Sequence, residues 1–212
     1  MTNPAELIKG FHRFREQHFT DDDALYRQLV QEGQTPKILV VACCDSRVDP
    51  ALVLDCAPGD LFVIRNVANL VPPDENRIGG RHGTSAALEY GVKTLCVEHI
   101  VVLGHAQCGG IQALMSGSAA IDGQESFISS WMRLAEQARS KVLQEMPEAS
   151  KDELERACEQ QAILSSLDNL MSFNWIRERV EDGRLKLHGW YFDIEHGQLL
   201  QYEAANGRFI AM

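Results

Sequence analysis

The chain has 212 residues, enough for one sizeable hydrophobic core and short for two ordinary domains, so residues 1–212 read as a single domain. Its 45% apolar and 24% charged residues exclude a disordered or collagen-like chain, and a net charge of -10 disfavours binding to a phosphate backbone. The start, "MTNPAELIKGFHRF", lacks the basic, apolar and small-residue succession of a leader, and no apolar run approaches about 20 residues. The expectation is a cytoplasmic protein with no membrane and no nucleic-acid partner, whose six cysteines are free thiols or metal ligands.

In chain order, Asn3, Pro4 and Glu6 have the chemistry of a helix start, with Leu7, Phe11, Phe14 and His18 following at helical spacing. A second helix is expected from about Asp22 to Glu32, ended by Gly33. These first 35 residues form a helical arm that can pack on its own domain or on another subunit. Then "KILVVAC" (37–43), "LFVIR" (61–65) and "HIVVLG" (99–104) read as strands buried on both faces. Between the last two, "GTSAALEYGVKTLCVEH" is patterned like a crossover helix, which implies a parallel sheet covered by helices. Residues 126–180 are helical in character with a break near Pro147. "LKLHGWYFDI" and "GQLLQYEA" suggest an edge hairpin, and "ANGRF" a further turn. The fold class is α/β with a mainly parallel central sheet.

Sites in such sheets form at the carboxyl ends of parallel strands. Cys43 ends one strand, while His105 and Cys108 follow another in "LGHAQCGG". Two sulfurs and an imidazole nitrogen on one sheet edge suit zinc and leave a fourth position for water or substrate. Either half alone occurs often by chance; their joint placement is what points to a metal. In extended chain Cys43 and Asp45 project together and Cys44 points away, so Cys43 is the candidate ligand and Cys44 is expected to pack. Cys56, Cys96 and Cys158 are expected to be structural, in helical segments. Gly109 and Gly110 let the main chain come close to a ligand where a helix begins. Asp45 and Arg47 can pair.

"CCDSRV" and "GHAQCGG", joined by "GDLFVIRNVANLVPP" and "HGTSAALEYGV", resemble the β-class carbonic anhydrases from about Gln34 to the "LHGWYFDI" segment. The resemblance implies one zinc ion per chain on Cys43, His105 and Cys108, with Asp45 and Arg47 as the catalytic dyad. It implies a substrate pocket lined by Gln34, Phe62, Tyr90 and Gly109, built in part across the interface of a homodimer or higher homo-oligomer, with the N-terminal helices extending over the partner. The implied reaction is reversible hydration of carbon dioxide to bicarbonate and a proton through zinc-bound hydroxide, with activity rising toward alkaline pH. Two thiolates leave the zinc less acidifying than three histidines would.

Asp45 can either orient the hydroxide or occupy the fourth position and close the site. Relatives that switch by a noncatalytic bicarbonate site carry a Trp where this chain has Val40 and a Tyr where it has Phe192, although Arg65 is retained. The expectation is the open form. The rivals are hydrolysis of a related small molecule such as carbon disulfide and a noncatalytic zinc or redox-sensing protein, the latter disfavoured by the intact dyad. His82 is a candidate proton shuttle, although a lone loop histidine is more often structural.

Overall fold

The computed structural model describes residues 3–19, 25–75, 82–118 and 126–212. Six strands form one sheet in the order β2-β1-β3-β4-β5-β6. These are β1 (Ile38–Cys43), β2 (Leu61–Asn66), β3 (His99–His105), β4 (Lys186–Asp193), β5 (Gln198–Glu203) and β6 (Arg208–Ala211). The first four pair in parallel, and β4-β5 and β5-β6 are antiparallel. The mainly parallel sheet and the edge hairpin are as the sequence implies. Beyond the turn foreseen in "ANGRF", Arg208–Ala211 adds a further antiparallel strand.

Continuous apolar runs become central strands because both of their faces are covered. Leu39, Val41, Ile100 and Val102 pack on one side against Leu88 of α4 (Gly83–Glu89), Ile163 and Leu170 of α8 (Lys151–Ser172) and Ile176 of α9 (Asn174–Glu181). Val40, Ala42, Val101 and Leu103 form a cluster on the other side. Each fully buried Leu, Ile or Val contributes about 1.5–3 kcal/mol. Gly104 lies where α8 crosses β3, and a Cβ there would stand 2.6 Å from Ile163 Cδ1, so any larger residue would force the buried Ile163 side chain to shift.

α8 starts at Ser150, whose side chain and that of Glu153 cap each other's main-chain N–H groups, after the break at Pro147. The crossover helix is shorter than its pattern suggests. α4 passes into a wider turn at Tyr90–Thr94, closed by Leu95 N–H donating to the Tyr90 carbonyl, and the chain then reverses into β3 through Cys96 at φ 54°. Cys96 and Cys56 therefore lie in loops rather than helices, whereas Cys158 is buried in α8 as expected.

At the amino end, α1 (Pro4–His18) begins with Asn3 Oδ1 accepting from Glu6 N at 3.2 Å. Of the second expected helix, residues 22–24 lie outside the described residues; α2 runs Leu25–Glu32 and ends at Gly33 with φ 77°. Phe19 stacks on Tyr26 and Phe14 meets it edge-on, which ties α1 to α2. Neither helix buries a residue.

Candidate metal centre

β1 and β3 are neighbours in register, Ala42 opposite Leu103, so their carboxyl ends place Cys43 and His105 side by side. Cys108 arrives three residues later as the N-cap of α5 (Gly109–Met115), across a turn that needs Gln107 in the left-handed region at φ 58°. The donor atoms of Cys43, His105 and Cys108 all lie within 4.8 Å of one another, and the three residues are 5%, 1% and 2% exposed.

His105 Nδ1 is committed to the Ala106 carbonyl at 2.9 Å, which turns Nε2 toward the sulfurs. Nε2 is buried and makes no hydrogen bond. It lies near enough to the Cys43 sulfur to be polarised, and this raises the imidazole pKa against the opposing effect of burial, but the contact lacks hydrogen-bond geometry. An orphaned buried nitrogen facing two sulfurs is costly unless an ion fills the space. The donor set suits zinc. The Cys43 thiol is pulled down by its bond with Cys108, against burial, helped by His105 and by Asp45 N–H at 3.4 Å from Sγ. The same sulfur contact, with burial, pushes the Cys108 thiol up, since two buried thiolates side by side would repel each other.

Asp45 and Arg47 are paired by a fork: Arg47 Nε donates to Oδ1 at 2.9 Å and Nη2 to Oδ2 at 2.8 Å. That bond, partly opposed by burial, holds the Asp45 carboxyl well below the usual carboxylate range, so it is ionised at any working pH. Arg47 Nη2 also donates to the Gln107 carbonyl at 2.9 Å, joining the two motif loops. Arg65 clamps the first loop, donating from Nε to the Cys43 carbonyl (2.9 Å), from Nη2 to the Asp45 carbonyl (2.7 Å) and from Nη1 to Asp49 (2.7 Å). All three guanidinium nitrogens are thus engaged within the chain, while Val40 is buried and Phe192 packs against its cluster.

Cys44 points away from the cluster, as alternation requires, but it does not pack. It is exposed and lines a cleft of about 940 Å³ with Arg65, Trp131 and the exposed His82, because β1 has ended and the chain has left the sheet. Gly109 opens α5, and a Cβ there would meet nothing within 4 Å, so its surroundings are open to a ligand.

The remaining pocket residues are not brought to this cluster within one chain. Phe62 pairs with Leu39, four residues before Cys43, which places it about 13 Å back along the sheet. Its ring meets that of the half-exposed Tyr90 at 5.9 Å, and Gln34 is exposed before β1.

Farther along the sheet edge, Asp193, Glu195 and His196 bring three potential ligand atoms together, but Arg156 Nη1 already donates to Asp193 at 2.9 Å. Burial favours the neutral acid there, yet bonds from His196 and Arg156 outweigh it and hold the carboxyl at about 2, against 3.8 for a free Asp. A lowered folded-state value stabilises the protein above the unfolded pKa, and that contribution disappears as pH falls through the folded one. Acid titration of the wild type is expected to lose stability from about pH 4 to about 2, and Asp193→Asn to flatten that part of the profile in urea melts.

The fold and cluster define an α/β protein with a buried thiol-imidazole group, able to hold a metal ion such as zinc, at the carboxyl edge of a parallel sheet. The sequence model of the carbonic anhydrase family matches residues 38–199. "Beta carbonic anhydrase 5, chloroplastic" of Arabidopsis thaliana is 43% identical over 189 residues, covering 89% of this chain and 61% of that protein. A carbonic anhydrase of Synechocystis is 36% identical over 205 residues, covering 97% of this chain and 73% of that one. Among solved structures, the β-carbonic anhydrase CcaA superposes with a TM-score of 0.89 at 36% identity, covering 98% of this chain and 91% of that one. One of two tetrameric β-carbonic anhydrases from Sordaria macrospora gives 0.80 at 28% identity, covering 93% and 95%. The chain belongs to the β-carbonic anhydrase family, whose members are zinc-dependent lyases.

Proposed function

We propose that this chain catalyses the reversible hydration of carbon dioxide to bicarbonate and a proton. The observation that carries the reading is the buried Cys43, His105 and Cys108 cluster with the Asp45-Arg47 fork two residues from its first sulfur. Zinc held by these three donors would supply Lewis acidity that makes a water nucleophilic near neutral pH. Asp45 has no proton to give, so it accepts a hydrogen bond from the nucleophile and sets its direction, while Arg47 fixes the carboxylate plane and keeps Asp45 from the open position. The open space at Gly109 admits the substrate beside the cluster.

Gln34, Phe62 and Tyr90 complete the pocket of a second copy, since they lie away from their own chain's cluster. The arm formed by residues 1–35 fits that role. Leu7, Ile8 and Phe11 are 62%, 58% and 56% exposed on one chain, an apolar stripe suited to a partner's surface. Leu7→Asp with Phe11→Asp is expected to shift the protein toward monomer in sedimentation velocity and to lower hydration at least tenfold, with zinc content unchanged. Six free cysteines favour a reducing compartment, the cytoplasm, and no helix among the described residues is long and apolar enough to cross a membrane.

The deciding experiment offers carbon dioxide and carbon disulfide to one zinc-loaded preparation. Rapid proton release from carbon dioxide, with no hydrogen sulfide from carbon disulfide, is expected. The reverse pattern assigns the hydrolase activity, and one zinc per chain with neither activity assigns a noncatalytic role.

A further inference from the structure

The turn that delivers Cys108 holds a strained residue, and its polar groups, main-chain and side-chain, are tied to distant parts of the fold. Ala106 N–H donates to the Phe192 carbonyl at 2.9 Å, and the Gln107 carbonyl accepts from Arg47. Gln107 Nε2 donates to Glu195 at 2.6 Å. The last tie is Cys108 N–H, which donates to Glu159 Oε1 at 2.8 Å. The other oxygen of Glu159 accepts from Tyr191 Oη at 2.7 Å. Glu159 is 4% exposed, on a face of α8 whose nearest buried neighbours are Glu155, Cys158, Ala162 and Ile163, and Tyr191 is fully buried in β4.

A carboxyl buried there costs more than an apolar residue of the same size unless its bonds do something that packing cannot. Its two oxygens bridge the main chain of one cluster residue to the hydroxyl of a core strand. A non-glycine residue at positive φ, as at Gln107, costs about 1–3 kcal/mol and persists only where its surroundings hold it. The direction of Cys108 Sγ follows from the main chain at Cys108, and Glu159 is the only described side chain bonded to that N–H.

We propose that Glu159, held by Tyr191, is a positioning residue for the metal centre that fixes Cys108 through its main-chain N–H. This rests on the zinc reading above. An outer-shell partner of this kind is worth about 10–100-fold in metal affinity.

The test uses the full chain, with zinc affinity read by competition against a chromophoric chelator and the centre's geometry by the visible spectrum after loading with cobalt(II) alone. Wild type is expected to show a thiolate-to-cobalt charge-transfer band. Glu159→Leu is expected to weaken zinc about 10–100-fold and to shift the cobalt bands. Glu159→Gln, which still accepts from Cys108 N–H, is expected to stay within about threefold of wild type with the wild-type spectrum. A folded Glu159→Leu with unchanged affinity and a superimposable spectrum overturns the proposal. If circular dichroism shows that Glu159→Leu does not fold, Tyr191→Phe decides: shifted cobalt bands support the proposal and superimposable ones overturn it. A wild type without the charge-transfer band overturns the zinc reading itself, a failure distinct from that of any variant.

Discussion

Cys43→Ser is expected to lose zinc and activity together, while Cys44→Ser keeps both. Serine is nearly isosteric, so the fold survives, but its hydroxyl is a far weaker ligand than a thiolate, and two remaining protein donors hold zinc poorly. A loss of at least 100-fold in zinc affinity is expected for Cys43→Ser, read by metal analysis after dialysis against a chelator of known strength. Its neighbour contributes no donor atom: Cys44 faces the cleft beside Arg65, outside the group formed by Cys43, His105 and Cys108. Equal zinc loss in the two variants would remove the alternation argument that separates the adjacent sulfurs.

Asp45→Asn is expected to keep zinc within about threefold and to lower hydration about 10²-fold, the cost of a nucleophile held out of line. The amide keeps one oxygen for Arg47 but turns an NH2 toward either the guanidinium or the nucleophile. The fork of two bonds at 2.9 and 2.8 Å is then broken, and the acceptor that directs the nucleophile is lost. Stopped-flow hydration within threefold of wild type would show that Asp45 is a structural partner of Arg47 and nothing more.

Both variants act at residues legible in the sequence, for a physical reason. Cys43, His105 and Cys108 follow Val- and Ile-rich runs that are strands only when buried on both faces, and parallel strands bring such ends together. The Asp45-Arg47 pair is equally local, two residues apart in a tight loop. What escaped is held by long-range packing. Glu159 lies 51 residues beyond Cys108 in chain order, and an acid within an amphipathic helix ordinarily reads as a solvated face; only its neighbours Cys158, Ala162 and Ile163 mark it as inward-facing. Arg65 stood out in the sequence, but its clamp on two carbonyls of the first motif loop had no pattern to betray it. For Cys44, alternation gives a direction and not a neighbour: the side chain turns away from the cluster and meets a cleft instead of the core. Phe62, with Tyr90 against its ring, sits four residues back along the sheet from Cys43, and Gln34 precedes β1, which is why the role proposed for them is in the pocket of a second copy.

Zinc held by one chain's Cys43, His105 and Cys108 would leave a fourth position for a light atom. X-ray absorption at the zinc edge, on the purified protein near neutral pH, tests it most directly. Two sulfur scatterers at about 2.3 Å and two nitrogen or oxygen scatterers at about 2.0–2.2 Å are expected. A shell of three or four sulfurs, or one with no sulfur, would contradict it.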